Sequence, residues 1–178
     1  LVSDRKFAGA DTWATALTLA AVIRTAAPGY DLILAGKQAI DGDTAQVGPE
    51  IAEILGLPQV MYAVEMSLTP NRKRIRVKRE VESGHEVLEA RLPALVSASK
   101  GEVMRRMPSL ADVLAARRKE LRKITAADLD LSESELGLAG SYTQVVKVFP
   151  PEPKKGGRKL EGLDPAEAAL EIAAFLRA

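Results

Sequence analysis

The residues with the most chemical promise form one uninterrupted run, Gly36-Lys37-Gln38-Ala39-Ile40-Asp41-Gly42-Asp43-Thr44-Ala45-Gln46-Val47-Gly48-Pro49. Gly36, Gly42 and Gly48 leave the backbone open to close approach, and amides at the start of a following helix, helped by its dipole, suit a phosphate. Lys37 adds a positive charge on a flexible stem, while Thr44 and Gln46 can donate hydrogen bonds. Asp41 and Asp43 would repel phosphate, so they should face ribose hydroxyls, cap local amides or anchor the loop. The run is neither a P-loop nor a GxGxxG fingerprint. By spacing alone, an ordinary Asp-Gly turn with an Asx cap is the commoner explanation of such a segment.

Few other chemistries are open to this chain. It has no cysteine, which excludes disulfides, thiolate nucleophiles, iron–sulfur clusters and thiolate zinc sites. Its one histidine, His85, sits in a Ser-Gly-His turn with no Ser or Asp pattern around it to make a catalytic base. The balance of 25 Lys+Arg against 24 Asp+Glu, formally +1, removes the strong electrostatic argument for nucleic acid or an anionic membrane as main partner. Arg72, Lys73, Arg74, Arg76, Lys78 and Arg79 cluster, but they alternate with Ile75 and Val77 as the wet face of a two-stranded ribbon requires. No apolar stretch approaches the roughly 20 residues of a membrane-spanning helix and no basic-then-apolar leader opens the chain, so a soluble, cytoplasmic protein is expected.

The elements that must position the run follow from periodicity. The 178 residues suffice for one compact domain with an appendage, and 47% hydrophobic with only 4% aromatic residues points to an aliphatic core of mixed α/β type. Asp11 to Ala27 predicts a helix with Trp13, Leu17, Ala20 and Ala21 near one face, ended by Pro28-Gly29. Asp31 to Gly36 is a short apolar run stopped by glycine, the pattern of a parallel strand buried on both faces. A second helix begins near Val47, with Pro49 in its first turn and Gly56 closing it, and Gln59 to Met66 is the next strand. Strand, loop, helix and strand make one βαβ unit, which puts the Gly36–Gly48 loop where open α/β sheets bind ligands. Arg74 to Val81 and Glu86 to Leu92 predict a hairpin, and Pro93 to Ala98 a strand that could return to the main sheet. Ser109 to Lys123 reads as a helix with a weak capping box and a basic second half. Beyond Thr125 the pattern weakens until a final helix from Ala166 to Arg177, capped by Asp164-Pro165.

With its flanks, the run resembles the small (beta) subunit of electron-transfer flavoproteins. Ser3 to Thr15, SDRKFAGADTWAT, matches the loop and helix start of that family, and DLILAGKQAIDGDTAQVGPEIAEILGLPQV is similar to its signature. The likeness continues through the hairpin, Leu92 to Val96 and Pro108 to Arg118. It implies a doubly wound, mostly parallel, Rossmann-like α/β fold with an added hairpin and a C-terminal arm, binding an adenine nucleotide. It implies the nucleotide domain over residues 1–123 and an arm and helix over 124–178 that contact a larger alpha subunit, which carries the electron-transferring FAD. Ordinary members hold a structural AMP in the small subunit. Bifurcating members hold a second FAD there, which takes a hydride from NADH and splits the electron pair. The wording DGDTAQVGPE with ADTWAT upstream is closer to the bifurcating group, so FAD is expected.

Carried over residue by residue, the resemblance makes nucleotide contacts of Asp11, Thr12 and Thr15, and of Gly36, Lys37, Gln38, Ala39, Asp41, Asp43, Thr44, Ala45, Gln46, Val47 and Gly48. It also places a partner-recognition loop between Met104 and Lys123, with Leu110 as an apolar knob and Arg105, Arg106 and Arg117 as a basic collar for a dehydrogenase or oxidoreductase. Taken by itself, Leu110 reads as a core residue opening a solvated basic helix. Members of the family start with a further βαβ stretch, so this chain is expected to be a fragment whose sheet has an open edge and whose nucleotide pocket lacks one wall. The expected role is electron transfer, in the cytoplasm or in the mitochondrial matrix of a eukaryote, with no side chain acting as acid, base or nucleophile. A nucleotide-sensing module without redox work is the alternative from another class.

Overall fold

The computed structural model describes residues 1–100, 106–153, 159 and 161–177. Helix α1 (Thr12–Ala26) begins at Asp11, whose carboxylate accepts the Ala14 amide at 3.0 Å and closes the helix start. Its buried residues are Ala14, Ala16, Thr18, Ala20 and Ala21, while Trp13 and Leu17 are only half-buried. Small side chains face inward because α1 packs directly against helix α2 (Val47–Leu55). Helix α2 carries Pro49 in its first turn, where no backbone donor is lost, and stops at Gly56 in the left-handed conformation at φ +67°.

The sheet has five strands, β1 (Leu32–Gly36), β2 (Gln59–Leu68), β3 (Arg74–Val81), β4 (Gly84–Arg91) and β5 (Ala94–Ala98), in the order β1-β5-β2-β3-β4. Strand β5 returns between β1 and β2 and runs parallel to both, with Leu32 opposite Ala94 and Gly36 opposite Ala98. The β2-β3-β4 part is antiparallel, so the sheet is mixed. Central placement explains why Ala94, Leu95, Val96 and Ser97 are all buried. Leu95 joins Ala16, Ile51 and Ala52 on the helix face, and Ala94 and Val96 join Val60, Ile75 and Val77 on the other. Each fully buried Leu, Ile or Val among them stabilises the fold by about 1.5–3 kcal/mol. Strand β1 lies at the sheet edge and leaves Leu34 61% exposed. The β3–β4 hairpin keeps its wet face, where Arg76 pairs with Glu89 at 3.2 Å, while Arg79 pairs with Glu86 at 2.8 Å on the face that carries Ile75 and Val77.

One expectation from local pattern changes here. The helix expected over Ser109–Lys123 is shorter: α3 spans Leu110–Arg117, opened by a reciprocal Ser109–Asp112 capping box. The basic stretch beyond Arg117 offers no apolar face to bury, and the chain just after it is drawn into a parallel bridge between Val2 and Ile124. In that bridge the Ile124 amide donates to the Leu1 carbonyl at 2.8 Å and the Ser3 amide donates to the Ile124 carbonyl at 3.0 Å. Ile124 and Leu129 are then buried beside Ala21 of α1. The first compact unit runs over Leu1–Gln144. The second unit, Val145–Ala178, contains helix α4 (Pro165–Arg177), whose start is capped by Asp164 accepting the Ala166 amide at 2.7 Å. Leu170, Ile172, Phe175 and Leu176 of α4 are exposed.

Candidate functional site

The carboxyl end of β1 and the amino end of α2 border a cleft of about 450 Å³. Gly36, Lys37, Gln38 and Ala39 line it from the strand side, and Thr44, Ala45, Gln46, Val47 and Gly48 from the helix side. Its apolar wall is built by Leu19 and Ile23 of α1, Ile33, Leu34 and Ala35 of β1, and Ile51 of α2. The first intrahelical bond of α2 is Glu50 to the Gln46 carbonyl at 3.0 Å, so the Val47 and Gly48 amides have no acceptor inside the helix. No atom lies within 4 Å of where a Cβ on Gly36 or Gly42 would stand, so the backbone there is open to a ligand. A wall of aliphatic side chains, free helix-start amides and a lysine suit a flat base joined to a phosphate.

The loop between these walls is held by its own residues. Asp43 and Ala45 both adopt the left-handed region, at φ +51° and +55°. The Asp43 amide donates to the Ala39 carbonyl at 2.9 Å, and the Gln38 side-chain amide donates to the Asp43 carboxylate. Asp43 therefore anchors the loop rather than lining the cleft, and Asp41 is exposed outside it. The ammonium of Lys37 stands 5.2 Å from the centre of the Tyr62 ring. Tyr62, at φ +65°, was not singled out by sequence, because its environment depends on a bulge in β2. The α1 wall residues Leu19 and Ile23 lie outside the face that helical spacing assigned to Trp13, Leu17, Ala20 and Ala21.

Asp11, Thr12 and Thr15 do not line the cleft. The Thr12 hydroxyl lies 3.3 Å from the Gln46 side-chain oxygen and 3.2 Å from one oxygen of Glu50, linking the start of α1 to that of α2. The other Glu50 oxygen is buried without a hydrogen-bond partner. Burial raises the Glu50 carboxyl above its ordinary range, against the Thr12 hydrogen bond and with help from the Asp11 charge. Asp11 itself is occupied by Ala14, Thr143 and α1, and Thr15 is half-buried along the helix.

Leu110 opens α3 at 76% exposure, and Met107, Val113 and Leu114 are exposed with it, so α3 has no buried residue. Arg106 and Arg117 are exposed on the same segment, and Arg105 lies outside the described residues. Trp13, half-buried, meets the Tyr142 ring at 5.9 Å between centroids. Among the described residues no cluster of His, Asp and Glu could hold a metal ion, and no helix is long and apolar enough to cross a membrane.

The family model described as the electron transfer flavoprotein domain matches residues 1–129. The chain belongs to the electron transfer flavoprotein domain family. It is 41% identical over 175 residues to the electron transfer flavoprotein subunit beta of Megasphaera elsdenii, covering 96% of this chain and 64% of that protein. It is 41% identical over 177 residues to the caffeyl-CoA reductase-Etf complex subunit CarD of Acetobacterium woodii, covering 99% and 66%. A 44% identity over 181 residues relates it to protein FixA of Azotobacter vinelandii, covering 96% and 64%. The chain thus spans about two thirds of the length of these relatives. The matched family region includes the whole cleft and ends at Leu129, within the segment that packs against α1.

Proposed function

We propose that this chain is part of the small subunit of a heterodimeric electron transfer flavoprotein and holds an adenine nucleotide in the cleft between β1 and α2. The observation that carries the reading is the coincidence of the family's loop sequence with a cleft that has free helix-start amides and an aliphatic wall. Bound FAD would supply hydride and electron-transfer chemistry, whereas AMP would supply none. Both share the adenosine and its first phosphate. The Val47 and Gly48 amides and Lys37 would take that phosphate, while Gln38, Thr44 and Gln46 would orient the nucleoside by hydrogen bonds. Asp43 would keep the loop in its binding shape.

FAD is the favoured occupant because the Asp41 to Gly48 wording, with Asp11 to Thr15 upstream, resembles the bifurcating group more than the ordinary one, with NADH as donor and a ferredoxin or flavodoxin among acceptors. In the ordinary type AMP takes this place, and acyl-CoA dehydrogenases deliver electrons that pass to a quinone oxidoreductase. The large alpha subunit is the constant partner, met by the C-terminal arm, and the Leu110 region serves the dehydrogenase. The bacterial relatives favour a cytoplasmic setting.

The test is nucleotide content. The full-length protein, purified with its large subunit, is denatured and the released FAD and AMP are counted per heterodimer. Two FAD and no AMP support the bifurcating reading. One of each leaves an ordinary electron carrier, and a complex without flavin favours a non-redox nucleotide module.

A further inference from the structure

We propose that Tyr62 is a positioning residue of the cleft: a bulge in β2 places its ring against the Lys37 ammonium and holds that cation where a ligand phosphate would sit. The inference rests on the nucleotide reading above. Between matched positions, β2 advances from Val60 to Ala63 while β5 advances only from Val96 to Ala98, so β2 carries one extra residue. Tyr62 within that bulge has φ +65°, a region bulky L residues seldom occupy. Its amide, displaced from the ladder, donates instead to the hydroxyl of Ser97 at 2.9 Å. Ser97 is 2% exposed, so this replacement bond is formed inside the sheet and fixes the bulge from within. Strain of this kind persists only where the surroundings impose it, and it concentrates at functional sites.

The direction of the ring matters more than the strain. Val60 and Ala63, on either side, are in the buried core cluster, but Tyr62 is only half-buried and belongs to none of the core clusters. It stands instead against Lys37, 5.2 Å from ring centre to ammonium, within the range of a cation–π contact. Lys37 lines the cleft at the end of β1. A lysine on a free four-carbon stem must give up its rotamer freedom to bind a phosphate, and a ring that holds it beforehand lowers that cost.

The test uses the full-length heterodimer stripped of nucleotide, with AMP and FAD as the probes and calorimetry as the readout. Tyr62→Phe keeps the ring and should bind within about twofold of the parent. Tyr62→Asn removes the ring with a residue that tolerates the left-handed backbone, and should bind about fivefold more weakly, the scale of a partly exposed cation–π contact. Lys37→Met should also weaken binding and flatten its salt dependence, and adding Tyr62→Asn to Lys37→Met should cost nothing further. Ser97→Ala keeps the ring but releases the bulge, so it should show a smaller loss that also vanishes in the Lys37→Met background, and it carries the test if Tyr62→Asn fails to assemble. An unchanged affinity in Tyr62→Asn, or an equal loss with and without Lys37, overturns the assignment of Tyr62. Failure of the parent heterodimer to bind either AMP or FAD overturns the nucleotide reading itself.

Discussion

Asp11 joins two parts of the chain 132 residues apart: one carboxylate oxygen caps α1 through the Ala14 amide, and the other accepts both the amide and the hydroxyl of Thr143, at 2.9 and 3.1 Å. Its own amide donates to the Ser141 hydroxyl at 2.8 Å. The first helix therefore starts at the point where the chain leaves the first compact unit. Asp11→Ala is expected to lower stability by about 0.5–2 kcal/mol, the usual range for a lost cap. The check is a denaturant midpoint, paired with hydrogen exchange at the Thr143 amide, which should speed up.

The same carboxylate sets a pH dependence. Burial opposes its ionisation, but the Ala14 and Thr143 donors outweigh burial and hold it below the ordinary aspartate value. A depressed folded-state pKa means its contribution is present above the unfolded value of about 3.9 and is lost as pH falls through the lower folded one. Thermal midpoints of the parent and Asp11→Asn, measured from pH 7 to pH 2, should differ at neutral pH and converge at the acid end. A gap of constant size would refute the linkage.

Glu50 has the opposite sign. Its carboxyl is raised chiefly by burial, so the protonated form is the better folded one and stability is lost as pH rises through its folded pKa. Glu50→Gln removes that loss and should stabilise the protein at pH 7 by less than about 1 kcal/mol, after allowance for solvent screening. At pH 4 the benefit should be largely gone. Denaturation curves at the two pH values read this directly.

Gly137 is buried at φ +53°, and a Cβ there would overlap the carbonyl oxygens of Lys6 and Ala8. Neither obstacle is the tip of a flexible side chain. Gly137→Ala should destabilise by roughly 2–4 kcal/mol, because backbone strain and steric overlap add. Urea unfolding should show a lower midpoint with an unchanged slope.

Leu110 offers the contrary case. It is exposed at the start of a helix that has no buried residue, so Leu110→Ala should change the unfolding free energy by no more than about 0.5 kcal/mol. If it is the apolar anchor for a dehydrogenase, the same substitution should weaken that association about tenfold or more, as loss of an interface hot spot does. Titration of the heterodimer with the dehydrogenase, alongside a urea curve, separates the two effects.

The Gly36–Gly48 loop, the helices around it and the hairpin were legible in the sequence because each is specified locally. Glycines punctuate the loop, apolar residues recur at helical spacing from Val47 to Leu55, and charge alternates along Arg74 to Val81. The family likeness was legible for the same reason, since its residues are contiguous. Tertiary structure alone decided that β5 enters between β1 and β2, because an apolar run such as Ala94 to Ala98 fits any central position in a parallel sheet. It also decided that Asp11 answers to Thr143 and Lys37 to Tyr62, pairs whose members are far apart in the chain. The end of α3 was settled in the same way, by the Val2–Ile124 bridge acting on a basic stretch with no face of its own to bury. Local propensity fixes which segments become helix or strand, whereas which of them meet depends on burial and hydrogen bonding that exist only once the chain has closed on itself.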